Sequence, residues 1–288
     1  MECSWSRDSE LSVRKLKGNK MKLKGLNAEQ TELLVPDHTF LFGWRGSVAH
    51  KTYTPTYGKC EHDDKDVMGA CFGPVENYIG FKRFEQKEAM VLGEDGIIWD
   101  SVVYEIRKFV RLLLKGNPNV MAMLFLPENL YIHLDEVGED LLSHKDWFVG
   151  KHMYKPFKGY ASSQLSKMDR NATSNLGAVR KKLVEKFGYD CKHAGHLIRL
   201  LRMGIEFLTS GELNIERHDA SELIDIKNGL WTRKAVLDES RRLFALLDEA
   251  YVKSDLPAAP QTAKVEEMMS DHIMTYLNSN SYLNPNGN

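Results

Sequence analysis

No stretch of the 288-residue sequence approaches the roughly 20 consecutive apolar residues that a membrane-spanning helix needs, so no passage through a bilayer is expected. Cysteine is scarce as well. Cys3, Cys60, Cys71 and Cys191 share no paired spacing, which argues against a disulfide framework and suits a reducing compartment. Cys60, His62 and Cys71 lack a fourth ligand at a sensible spacing, so no zinc site is read from them. The opening residues, MECSWSRDSELSVRKLKGNKMKLK, hold charges but no apolar h-region, and the expectation is a cytoplasmic address without a secretory signal. Glycine (21) and proline (9) are too few for a fibrous or linker-like chain, while 42% hydrophobic residues leave ample material for a core. Net charge is nearly absent too, and a total of −1 taken alone disfavours a nucleic-acid partner.

The total conceals a division. Residues 1–150 hold 19 basic against 23 acidic side chains, residues 151–202 hold 12 against 3, and residues 203–288 hold 8 against 14. The middle segment is therefore +9 between two acidic ones. Such a segment suggests a surface for phosphate-rich ligands, with a solvated helical face as the alternative. A second basic run, Arg14, Lys15, Lys17, Lys20, Lys22 and Lys24, contains no acid and reads as a solvated N-terminal arm with nucleic acid as a possible contact.

Length suggests two lobes. In the first, His38–Phe42 reads as a buried strand closed by the turn Gly43–Ser47, and Lys65–Phe72 as a second strand. From Asp100 the pattern becomes helical, with Val103, Ile106, Phe109, Val110 and Leu113 on one stripe, Asp100 or Ser101 as cap, and Gly116 with Asn117-Pro118 as stop. The run VMAMLFL, residues 120–126, reads as a compact apolar strand. After about residue 150 strand signals vanish, and helices are expected near 159–169, 174–187, 191–210, 219–228, 232–253 and 262–277. The tail NSNSYLNPNGN is too polar to pack.

Chemistry concentrates at two places. Gly46-Ser47 follows a strand, where glycine lets a backbone approach a phosphate and Ser47 offers a hydroxyl and an amide at a helix start. Asp64 and Asp66 stand at i and i+2, which on a strand points both carboxylates to one face, as a hard divalent cation requires. Taken singly, each piece reads equally as an ordinary loop. In the second lobe Ala194, Leu197, Ile198, Leu201, Ile205 and Leu208 form an apolar stripe. Lys192, His196 and Arg199 lie together on the opposite side, flanked by Arg202. That cationic stripe suits a triphosphate held across a cleft, the alternative being a solvated basic face; His193 and His196 are open between the two.

The ordered series GWRGSVAHKT, DDKDVMG, YEIRKFVRLLLKGNPNV, GYASSQL and FGYDCKHAGHLIRLLRMGIEFLTSGEL resembles the DNA polymerase β-type nucleotidyltransferase superfamily. Within it the similarity is to a family of nucleotidyltransferases associated with RNA repair (RlaP-like), and it runs from about Phe40 to the Leu-Pro near residue 257. The resemblance implies an α+β protein, with an N-terminal nucleotidyltransferase α/β domain over 1–150 and an all-helical domain over 151–288. It implies transfer of a nucleoside monophosphate from a nucleoside triphosphate, ATP being expected, to a hydroxyl acceptor with two Mg²⁺ ions. Gly46 and Ser47 match the triphosphate-binding pair, Asp64 and Asp66 the metal-binding pair, and Lys192, His196, Arg199 and Arg202 fall in the family block on the second-lobe helix. Tyr160, Ser163 and Gln164 also match a family motif, with capping or helix packing as an open alternative. RNA is the expected acceptor, such as a tRNA-like 3′ end; protein nucleotidylation (AMPylation) and a catalytically silent nucleotide- or RNA-binding module are the competing readings.

The sequence departs from the family where relatives carry a third carboxylate. In NPNVMAMLF the expected Glu is Ala122, and Asp100 and Glu105 are read onto a helix away from that strand. Asp64 and Asp66 are then expected to bind a metal–nucleotide complex with turnover severely reduced. Two smaller departures are His50-Lys51, where relatives often have an aromatic residue and Gly, and Asp63, where Ser is usual.

Overall fold

A computed structural model describes residues 23–54, 63–169 and 184–280. The basic run from Arg14 to Lys22, Cys60 and His62, most of the helix expected over 174–187 and the polar tail lie outside the described residues.

The fold is mixed α+β. Five strands, β1 (Thr39–Trp44), β2 (Lys65–Cys71), β3 (Gln86–Leu92), β4 (Ile98–Glu105) and β5 (Tyr131–Leu134), form one sheet in the order β3-β4-β2-β1-β5. Only β2 and β4 run parallel; the other pairs are antiparallel. The strands expected from HTFLF and KDVMGACF are β1 and β2.

Two expectations are corrected. The helix read from Asp100 begins only at Ile106, because residues 98–105 form β4, and Glu105 caps the helix Ile106–Leu114 by accepting from the Arg107 amide. β4 is a central strand with Trp99, Val102 and Val103 buried, so neither face shows the polar alternation of a half-exposed strand. Ser101 Oγ meanwhile donates to the Leu34 carbonyl at 2.9 Å, under the helix Ala28–Leu34. The second correction is VMAMLFL, which is not a strand: Pro118–Met121 is helical and Ala122–Leu124 a 3₁₀ turn. The helix Ile106–Leu114 ends before Gly116 and Asn-Pro as expected, and the same Asn-Pro also starts the next one, Asn117 accepting from the Asn119 and Val120 amides with Pro118 at the first helical position. The fifth strand is YIHL instead.

In the second half the helices Tyr154–Asp169, Cys191–Ser210, Ala220–Lys227, Arg233–Lys253 and Thr262–Ser279 lie close to the expected positions. Cys191–Ser210 is central among them. Asp190 caps its start and Gly211, left-handed at φ 78°, ends it. At Gly204 a Cβ would come within 2.9 Å of Leu247 Cδ1 and 3.1 Å of Phe157 Cβ, so glycine there sets how closely three helices cross.

One continuous core runs from Phe40 and Met68 through Phe157 and Leu201 to Tyr276 and Leu277, crossing residue 150 without interruption. The helix Thr262–Ser279 returns to the sheet, where Tyr276 stacks on Phe72 (centroids 4.4 Å apart) and donates to the Gly73 carbonyl at 3.1 Å. Truncation there, Tyr276→Ala, is expected to cost about 3–5 kcal/mol of unfolding free energy. Tyr276→Phe, which loses only the hydrogen bond, should cost about 1 kcal/mol. Urea denaturation followed by circular dichroism separates the two.

Candidate active site

β1 ends at Trp44, and the chain turns sharply through Arg45 and Gly46 into the one-turn helix Gly46–Ala49. Gly46 has φ 62°, and a Cβ there would lie 2.1 Å from Asp66 Oδ2. No other residue fits so close to that carboxylate. The Arg45 amide also donates to the Asp66 carbonyl at 3.0 Å, tying the turn to β2.

Asp66 on β2 is paired in parallel register with Asp100 on β4, so the two carboxylates are lateral neighbours on the sheet. Arg45 Nη2 bridges them, 3.5 Å from Asp66 Oδ1 and 3.2 Å from Asp100 Oδ2. Asp64, one residue before the same strand, lines the same cavity. Burial raises the Asp66 carboxyl; Arg45 works against this and Asp100 reinforces it. Burial likewise raises Asp64, with Lys192 opposing and Asp100 and Asp63 adding to the shift.

The cavity, about 530 Å³, is closed on the far side by the helix Cys191–Ser210, from which Lys192, His196 and Arg199 line it at i, i+4 and i+7. Among the described residues Arg199 meets two neutral acceptors, His50 Nε2 and the Met203 sulfur at 3.4 Å. Burial lowers its pKa to about 10, and nearby Arg217 adds to the effect. Neither Lys192 nor Arg199 forms an ion pair among the described residues. Arg202 contradicts the expectation that it joins them. It turns away from the cavity into a cage of carboxylates, Asp219 at 2.7 Å, Glu222 at 2.6 Å and Glu239 at 3.5 Å. Burial opposes its charge, but Glu222 and Asp219 more than compensate and raise its pKa. His193 also faces elsewhere, with Nδ1 2.6 Å from Gln164 Oε1.

The structure therefore gathers Gly46, Ser47, Asp64, Asp66, Ala122, Lys192, His196 and Arg199 around one cavity. Sequence reasoning set aside Asp100, although a lone carboxylate among strand formers in IIWDSVVY is a usable signal. The two small departures from the family meet the helical half. His50 Nδ1 lies 2.9 Å from the Ile215 carbonyl, which fixes it as the donor and leaves Nε2 to accept from Arg199. Lys51 pairs with Glu216 at 2.7 Å. Asp63 accepts from the Thr54 amide at 3.0 Å and from Lys227 Nζ, and both Asp63 and Lys227 line the cavity.

A sequence profile of the family described as the RNA repair pathway DNA polymerase beta family matches residues 57–280. An uncharacterized protein of Methanocaldococcus jannaschii is 28% identical over 232 residues, covering 73% of this chain and 86% of the relative. Among solved structures, a nucleotidyltransferase-like protein from Exiguobacterium sibiricum aligns over 77% of this chain and 71% of its own. The two share 11% identity and superpose with a TM-score of 0.29.

His50 and His196 both sit well below the ordinary histidine value, through burial first and Arg199 next. An unfolded histidine binds its proton near pH 6.5, so below that pH the unfolded chain takes up more protons than the folded one. Stability present at neutral pH should therefore be lost as pH falls from about 6.5 towards 5.5, by up to roughly 1.4 kcal/mol per pH unit for each histidine. Urea titrations at several pH values check this. His50→Gln should flatten the slope by up to one proton, and an unchanged slope would sink the assignment of His50 as a neutral acceptor.

Proposed function

The chain belongs to the RNA repair pathway DNA polymerase beta family, a nucleotidyltransferase family of the polymerase β type, and we propose that it transfers a nucleoside monophosphate to a hydroxyl of RNA. The observation that carries this is the polarity of the cavity. Three carboxylates, Asp66 and Asp100 on the sheet and Asp64 just before β2, face Lys192 and Arg199, which form no ion pair among the described residues, across a space of about 530 Å³. A triphosphate fits that field in one sense only: its anionic oxygens take Lys192, Arg199 and the amide and hydroxyl of Ser47, with the α-phosphorus towards the aspartates.

Asp64, Asp66 and Asp100 would hold Mg²⁺, whose charge would offset that of the phosphate oxygens. The donor set fits a hard cation, and the burial and mutual repulsion that raise Asp64 and Asp66 are what a cation relieves. As the side chains stand, no three His, Cys, Asp or Glu residues among the described ones are spaced to hold an ion, and Arg45 Nη2 is the positive group between Asp66 and Asp100. Asp100 in this reading takes the role for which the sequence offered only Ala122. It orients the acceptor hydroxyl and accepts its proton at a carboxylate oxygen. The hydroxyl oxygen forms the bond to the α-phosphorus, and the bond to the β-phosphate oxygen breaks, releasing pyrophosphate towards Lys192 and Arg199.

Asp100 also favours an enzyme over a silent binding module. RNA is preferred to protein as acceptor because the +9 segment from 151 to 202 supplies Lys167, Lys192 and Arg199 to this cavity. The buried free thiols of Cys71 and Cys191 fit the cytoplasm.

The test is incubation with α-labelled ATP, Mg²⁺ and either RNA or protein extract. Label should enter RNA with the unmodified chain, and Asp66→Asn or Asp100→Asn should lower the rate at least about a hundredfold. Arg199→Ala should weaken Mg·ATP binding roughly tenfold to a hundredfold, and Arg202→Ala should leave it unchanged. Ala122→Glu should bring no gain. Full labelling by Asp100→Asn would remove the role given to that carboxylate.

A further inference from the structure

From the stretch GYASSQL, Tyr160, Ser163 and Gln164 line the cavity, and Tyr160 and Ser163 also line a second, more open groove of about 540 Å³ that leads away from it. One wall of the groove is the helix Tyr154–Asp169, where Pro156, Tyr160 and Ser163 recur at i, i+4 and i+7 on one face. Lys167, at i+11, continues that face into the cavity. The other wall comes from the end of the helix Ile106–Leu114, through Lys115 and Asn117. The two walls are joined where Asn117 Nδ2 donates to the Tyr160 hydroxyl at 2.8 Å.

The charge of the groove has one sign. No carboxylate among the described residues lines it. Lys115 lines it and Lys167 lines the adjoining cavity, and neither forms an ion pair among the described residues. Lys158, off this face, is by contrast held by Asp248 at 2.7 Å. The groove also lies off the correct strand: its second wall is the helix that continues from β4, which carries Asp100, whereas Ser47 and Asp63 follow β1 and precede β2. From Pro156 to Lys167 is about 16 Å at 1.5 Å per residue, long enough for a few nucleotides.

Resting on the nucleotidyl-transfer reading, we propose that this groove receives the acceptor as a single RNA strand, with phosphates at Lys115 and Lys167 and a base against the Tyr160 ring, so that its terminal hydroxyl reaches Asp100. A cationic groove with one aromatic platform is the pattern that tracks a single strand irrespective of sequence.

Gly159 makes the test clean. It lines the groove, it is helical, and a Cβ placed there meets nothing within 4 Å, so a side chain enters the groove without displacing anything. Binding of a short fluorescein-labelled single-stranded RNA is read by anisotropy, and Mg·ATP binding by calorimetry. Gly159→Glu and Lys115→Glu should each weaken RNA binding about fivefold or more, and the slope of log affinity against log salt should fall by about 0.7 for each phosphate no longer neutralised. Gly159→Lys should tighten binding, with Mg·ATP affinity unchanged in all three. RNA binding equal in the unmodified chain and Gly159→Glu would overturn the groove while leaving nucleotidyl transfer standing. So would an unmodified chain that binds Mg·ATP but ignores the strand and labels protein alone. Absence of Mg·ATP binding by the unmodified chain would overturn both readings together.

Discussion

Two aspartates placed side by side on parallel strands repel each other, and the surroundings of Asp66 and Asp100 respond to that repulsion. Their register leaves no way to separate them short of moving a strand. Arg45 spans the pair, Gly46 keeps the backbone turn clear of Asp66, and the cations of the helix Cys191–Ser210 face the carboxylates across the cavity. The site is charged on both walls: Arg45 offsets only part of the carboxylate charge, and Lys192 and Arg199 form no ion pair among the described residues. That condition suits a ligand carrying negative charge at one end and bringing positive charge with it at the other.

Opposed walls are useful only if the two halves of the chain stay in place. The core shared across residue 150 does most of this, because Tyr276 packs on Phe72 of the first half. Around the cavity the joints are polar: His50 to Ile215 and Arg199, Lys51 to Glu216, Asp63 to Lys227. All three involve residues that depart from the family pattern, which gives His50, Lys51 and Asp63 a structural use at the mouth of the site. The neutral state of His50 matters here. A second proton on the imidazole would leave Nε2 facing Arg199 as donor to donor.

Where local rules suffice, the sequence reading and the structure agree. The helices after residue 150 follow their apolar periodicity, and Gly46, Ser47 and Asp66 lie on the turn and strand expected for them, with Asp64 one residue before that strand. Disagreement falls where burial on both faces erases periodicity. β4 loses its alternation between β2, β3 and the covering helix Ala28–Leu34, and the apolar run 120–126 looks alike as a strand or a buried turn. Asp100 was misplaced for the first reason and Ala122 for the second. Arg199 and Arg202, three residues apart on one helix, are indistinguishable by pattern. Only the positions of Asp219, Glu222 and Glu239 make one a caged structural charge and the other a cavity wall.

The sequence by itself determined the residue types on which this chemistry rests: a glycine before a serine, alternating aspartates, and a helix with one apolar and one cationic stripe. These are local properties, set by periods of two and 3.6 residues. Tertiary structure decided which carboxylate stands beside Asp66, which arginine keeps its charge available, and where the basic segment opens into a groove. Strand register and helix packing bring together residues dozens of positions apart, and no local spacing carries that information.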